Sequence, residues 1–131
     1  MLWPAEGTLE NPGLFAEFDV VDVLDEDDGP TLFTARAGSE TYLLYTSAID
    51  PKDRIVRYIA VHCNTDMVAS LLQGRLPLRE ALTQDRVWAI DHSFDGKHTS
   101  SVQLKRGLDG VPEQHKPVAG ARLLADHHYA T

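Results

Sequence analysis

Only one cysteine, Cys63, occurs in the chain. A lone thiol forms no internal disulfide, and it cannot make a cysteine-only zinc site. No apolar run approaches the roughly 18 residues that a membrane-spanning helix requires. The opening residues, Met1-Leu2-Trp3-Pro4-Ala5-Glu6, lack the basic-then-apolar pattern of a secretory signal. Glycine-rich phosphate loops, a Gly-x-Ser-x-Gly elbow and His-Glu-x-x-His are all absent, which removes familiar local signatures of enzymatic chemistry. Bases are scarce early on: residues 1–50 hold eleven acids and a single base, Arg36. These absences lead us to expect a soluble cytoplasmic protein without a membrane partner. Direct nucleic-acid binding is not expected either, because an acidic surface repels phosphate backbones at long range.

What is present suits an ordinary globular domain. The 131 residues are 43% hydrophobic and 24% charged, enough to bury one core, and residues 1–131 read as one domain. The net charge is -8, yet residues 51–131 hold eleven bases against nine acids. The acidity therefore belongs to the first part of the chain, where it would attract a basic protein surface. The same acids would also serve simply to keep a small domain soluble.

Residues 17–24 mix β-branched and aromatic residues with acids and read as a strand. Their alternation slips at Val20-Val21, as at a bulge. Residues 25–30 (Asp-Glu-Asp-Asp-Gly-Pro) read as a turn, 31–37 as a second strand, and Gly38-Ser39 as a tight hairpin turn. Residues 41–46 (Thr-Tyr-Leu-Leu-Tyr-Thr) are apolar on both faces, as in a central strand. The Asp50-Pro51-Lys52-Asp53 turn leads into the most strand-like segment, 54–62. Asn64-Thr65-Asp66 supplies helix-capping side chains. Met67, Val68, Leu71 and Leu72 then recur at helical spacing, and Gly74 stands at a helix end. Pro77 fits the first turn of a second helix, with Leu78, Ala81 and Leu82 on its apolar face. Residues 86–91 and 101–105 read as strands around an Asp95-Gly96 turn. Residues 107–117 read as loop, and 118–125 as a last strand or short helix. Residues 1–13 and 126–131 read as loose ends. The expected fold is α+β: an antiparallel sheet of about five to seven strands, made of a four-strand meander, a short helical pair and a further hairpin.

Two adjoining stretches form a recognisable motif. They are Met67-Val68-Ala69-Ser70-Leu71-Leu72-Gln73-Gly74 and Arg75-Leu76-Pro77-Leu78-Arg79-Glu80-Ala81-Leu82, followed by Val87-Trp88-Ala89-Ile90. A hydrophobic strand, a short helix ending Leu-x-x-Gly, a segment like Leu-Pro-Leu-Arg-Glu-Ala-Leu and a further strand make residues 57–91 resemble a group of small bacterial domains of unknown function. The resemblance implies a fold and names no catalytic residue.

Several constellations compete as sites. His62 and Cys63, with Asp66 three residues on, pair an imidazole with a thiol, although neighbours on a strand point to opposite faces. Asp91, His92, Asp95 and His98 flank the second hairpin, where Asp91 and His98 would approach each other in the manner of metal ligands. Residues 25–29 match a calcium loop in composition alone, since no glutamate follows at the required distance. Of the aromatics Trp3, Phe15, Tyr42, Tyr45, Tyr58, Trp88 and Phe94, most should be core. Trp3 stands apart in a Pro-containing start, where it would serve as an exposed anchor for a partner or fold back on its own sheet.

The leading expectation is a non-enzymatic protein-binding module or regulatory subunit of a bacterial assembly. It would present Asp25, Glu26, Asp27, Asp28 and Trp3 to a basic partner, with no cofactor and no metal. Self-association through an edge strand is a further expectation. The alternative is an enzyme or a small-ligand or metal-binding protein with a pocket around His62, Cys63, Asp66, Asp91 and His92.

Overall fold

The segments richest in β-branched and aromatic residues pair as strands, and nearly every one finds its partner in the next segment along the chain. The computed structural model of the protein describes residues 2–8, 14–26 and 30–123. Strand β1 spans Gly7–Thr8, β2 Asp19–Glu26, β3 Pro30–Ala37, β4 Glu40–Asp50, β5 Ile55–His62, β6 Trp88–Ser93 and β7 Thr99–Leu104. Helices α1, Thr65–Leu72, and α2, Leu78–Leu82, lie between β5 and β6. The seven strands form one sheet in the order β1-β7-β6-β5-β4-β3-β2, with every neighbouring pair antiparallel. The expected four-strand meander and later hairpin are thus one meander. The helical pair returns the chain to the free side of β5, so β6 pairs with β5 itself.

Alternation along the strands builds two cores. Leu43, Ile59, Val61 and Ala89 face the helical side and pack with Leu71, Leu82, Val87 and Leu108. Phe33, Tyr42, Leu44, Ala60, Trp88 and Ile90 face the other side, where Phe15 covers them and Phe18 packs at the margin. Apolar residues on both faces of Tyr42-Leu43-Leu44 follow from this: β4 is central and covered twice.

Several boundaries move for physical reasons. The acids at positions 25 and 26 belong to β2 and not to the turn, while Asp27, Asp28 and Gly29 lie outside the described residues. Strand β4 runs to Asp50 because an irregularity between Thr46 and Ala48 lets pairing with β5 resume. The second hairpin closes through the five residues 94–98 and not through Asp95-Gly96 alone. Its own side chains staple it: Asp95 Oδ1 accepts from Lys97 N at 2.9 Å and from Ser93 Oγ at 2.6 Å, and Ser93 Oγ accepts from His98 N at 3.0 Å. Phe94 therefore sits in a loop, 46% exposed, with the Arg54 guanidinium 5.9 Å from its ring.

Residues 107–117 contain 3-10 turns at Gly107–Gly110 and Glu113–His115. Residues 118–123 form neither strand nor helix, and the remainder of the stretch to 125 lies outside the described residues. Instead they cross the helical pair, where Ala121 O accepts from Leu78 N and Leu123 is buried. The start of the chain is not loose over residues 2–8. Gly7 pairs with Leu104 and Thr8 with Gln103, and a Cβ on Gly7 would collide with the Gln103 carbonyl. Glycine is what allows this close approach. The expected loose end at 126–131, with His127 and His128, lies outside the described residues.

Candidate functional site

Strand β2 ends the sheet, and its four carboxylates would be costly to bury unpaired. Asp19, Asp22, Asp25 and Glu26 are exposed, as are Val20, Val21 and Val23 at 51%, 54% and 41%. Leu24 is the only buried side chain of the strand. Pairing with β3 slips between Val20 and Asp22, where the bulge was expected, and again between Val23 and Asp25 and between Asp25 and Glu26. Thr34 Oγ1 accepts from Asp22 N at 3.2 Å across the first slip. The result is an edge with open backbone groups, carboxylates and branched apolar side chains in one row. Asp25 and Glu26, expected as partner-binding residues, lie on it.

Trp3 lies elsewhere. It is 5% exposed, so it is not available as a projecting anchor, and it folds back on its own sheet. The reason is Arg57. This guanidinium sits mid-strand among apolar neighbours, with its side chain 9% exposed, and a buried charge requires partners. Asp91, directly opposite in register, accepts from Arg57 Nε at 2.6 Å and from Arg57 Nη2 at 2.7 Å. Arg57 Nη1 donates to Trp3 O, and the guanidinium lies 4.6 Å from the Trp3 ring centre. Trp3 Nε1 donates to Ser47 Oγ at 3.1 Å, and Ser47 Oγ donates to His115 O at 2.6 Å. An arginine inside an apolar strand is a signal that sequence reading passed over.

The five residues of the pocket reading do not converge. Asp91 lies on the helical side, bound to Arg57. His92 lies on the opposite side, 5.2 Å from Phe18 by ring centres and with Nδ1 2.7 Å from Thr99 Oγ1. Burial holds its imidazole below the ordinary value of 6.5, against the opposing pull of Asp95. His62 stands five residues beyond Arg57 on β5, about 17 Å along the strand. It stacks on Tyr42 at 4.8 Å and meets the edge of Trp88 at 5.2 Å. Asp66 is exposed in the first turn of α1.

His62 and Cys63 do share a cleft, because β5 ends at His62 and the chain turns there into α1. The cleft holds about 530 Å³ and is also lined by Glu40, Met67, Leu76, Glu80 and Gln84. Sequence reading missed these last residues, which come from three separate elements and two loops. The Cys63 thiol donates to Asn64 O at 3.6 Å, and burial raises its pKa to about 11. It is a protonated thiol at neutral pH and not an activated nucleophile.

Asp91 and His98 line one groove of about 460 Å³ with Asp53 and Lys97, although the Asp91 carboxylate is already engaged by Arg57. Among the described residues, no group of three or more His, Cys, Asp or Glu side chains is placed to hold a metal ion. No helix among them is long and apolar enough to cross a membrane. Comparison with family models, curated proteins and solved structures yields no match, so none of them supports the expected resemblance of residues 57–91 to small bacterial domains.

Proposed function

We propose that this protein is a non-enzymatic protein-binding module, a regulatory subunit of a bacterial assembly that receives a basic segment of its partner along β2. The observation that supports the reading is the composition of that edge: seven of its eight side chains are exposed, four of them acidic and three of them valine. An edge strand offers unpaired backbone groups to an added strand. The carboxylates repel a second copy of the same edge and favour lysine and arginine, so the charge selects the partner while the valines supply apolar contact. In this reading the setting is the cytoplasm, where the lone thiol of Cys63 stays reduced.

An alternating lysine–valine peptide tests the proposal. Titrated into the isotopically labelled protein, it should shift the amide signals of β2 and β3 saturably, and an alternating glutamate–valine peptide should not. A variant with Asp25→Lys, Glu26→Lys, Asp27→Lys and Asp28→Lys should lose the interaction. Binding that survives this reversal, or maps away from β2, refutes the reading.

A further inference from the structure

We propose that the cleft between the β4 and β5 ends and the helical pair is a second recognition site, one that holds a single lysine or arginine side chain of the partner. The proposal rests on the reading above for the source of that side chain, but it concerns a different surface. The lining of the cleft suits an aliphatic stem with a charged head. Met67 and Leu76, both partly buried, form an apolar wall for the methylene groups, which such side chains lay along apolar surface while the head stays polar.

Two carboxylates wait at the rim. Glu40, at the first residue of β4, has the His62 ring beside it with Nδ1 at 3.9 Å, beyond hydrogen-bonding distance. Glu80, in the first turn of α2, forms no ion pair among the described residues. Its neighbour Arg79 cannot neutralise it, because Arg79 Nε donates to Pro117 O at 2.7 Å and Arg79 Nη2 to Glu113 at 2.6 Å. Arg86 lines an adjoining hollow across Gln84 with Asp85, not this cleft. The Cys63 thiol on the floor is uncharged at neutral pH. The cleft therefore carries an excess of negative charge beside an apolar wall, and a guanidinium or ammonium on a methylene stem matches both.

The test uses N-acetyl-arginine amide as probe and N-acetyl-citrulline amide as its uncharged isostere, followed by nuclear magnetic resonance on the full chain. The arginine compound should give saturable shifts at Met67, Leu76 and His62, and the citrulline compound should give none. A Glu40→Gln, Glu80→Gln double variant, altered only at exposed positions, should bind about tenfold more weakly, as the loss of two exposed ion pairs would dictate. The Asp22→Lys, Asp25→Lys variant should bind arginine as the unaltered protein does, which separates this site from the edge. Binding to citrulline, indifference to the glutamine substitutions, or shifts confined to the β2 acids would overturn the proposal. If the lysine–valine peptide fails at β2 while arginine still seats in the cleft, only the edge reading falls.

Discussion

Arg57 shows how much one side chain decides. Its charge is taken out of water on β5, and the cost is offset chiefly because Asp91 stands opposite with both carboxylate oxygens, with the Trp3 carbonyl and ring as further partners. Such a pair contributes little net stability, but removing one partner strands the other. Asp91→Asn should therefore destabilise the fold by about 3 kcal/mol. Arg57→Met keeps the bulk and strands Asp91 instead, whose side chain is 27% exposed against 9% for Arg57 and can be hydrated, so it should cost clearly less. Urea denaturation of both variants checks this, and equal losses would mean that burial of the stranded charge does not set the cost. His92 makes a pH prediction. Burial favours its neutral form in the folded state, so below the unfolded value of about 6.5 the unfolded chain takes up the proton first. The stability tied to His92 is intact above that pH and drains away as pH falls through the lower folded value. A His92→Gln variant should lose less stability between about pH 7 and about pH 5 than the unaltered protein, in midpoints of denaturant melts. The carboxylates of Asp95 and Glu113 act at lower pH. Hydrogen bonds from Ser93 and Arg79 respectively hold them below their ordinary values of 3.8 and 4.5.

At the scale of elements, α1 has eight residues and α2 five, too few to be stable alone. They are held by Leu71, Ala81 and Leu82 in the core and by their ends. Asn64 Oδ1 accepts from Met67 N at 2.8 Å, as the sequence led us to expect. Beyond the other end of α1, Gly74 turns the chain with φ of +71°, a conformation that costs other residues about 1 kcal/mol or more. Asn64→Ala should lower stability by about 1 kcal/mol, read from thermal melts, with Asn64→Ser close to neutral. A larger loss would show that the cap also positions the cleft wall at Met67. Pro77 serves as the N-cap of α2, one position before the first-turn place expected of it. The proline fixes the backbone either way, and the boundary moves by a single residue.

At the scale of the molecule, the meander converts an asymmetry of sequence into one of space. The acids of residues 19–26 land on a terminal strand, while bases from later in the chain, such as Arg79, Lys116 and Arg122, gather where the last described segment crosses the helices. Exposed charges are screened by salt within about 10 Å at 0.1 M. Binding of the lysine–valine peptide should therefore weaken severalfold when salt rises from about 0.05 M to about 0.5 M, as calorimetry would read it. Affinity unchanged by salt would assign the interaction to the valines and not to the carboxylates.

Much of this fold was legible in the chain because its causes are local. Branched and aromatic residues mark the strands, the slip at Val20-Val21 marks the bulge, and Asn64 and Gly74 mark the limits of α1. Each depends on a few adjacent residues and on backbone sterics. The exposure of the acids was legible too, since a carboxylate is rarely buried unless it is paired, but the placing of their strand at the edge of the sheet was not. The burial of Trp3 was not, because its partner Arg57 lies 54 residues away. Nor was the scattering of His62, Asp91 and His92 over two faces, or the placing of Glu40, Met67 and Glu80 on one cleft. Strand order and register decide which distant side chains share a space, and those follow from the packing of the whole chain rather than from any stretch of it.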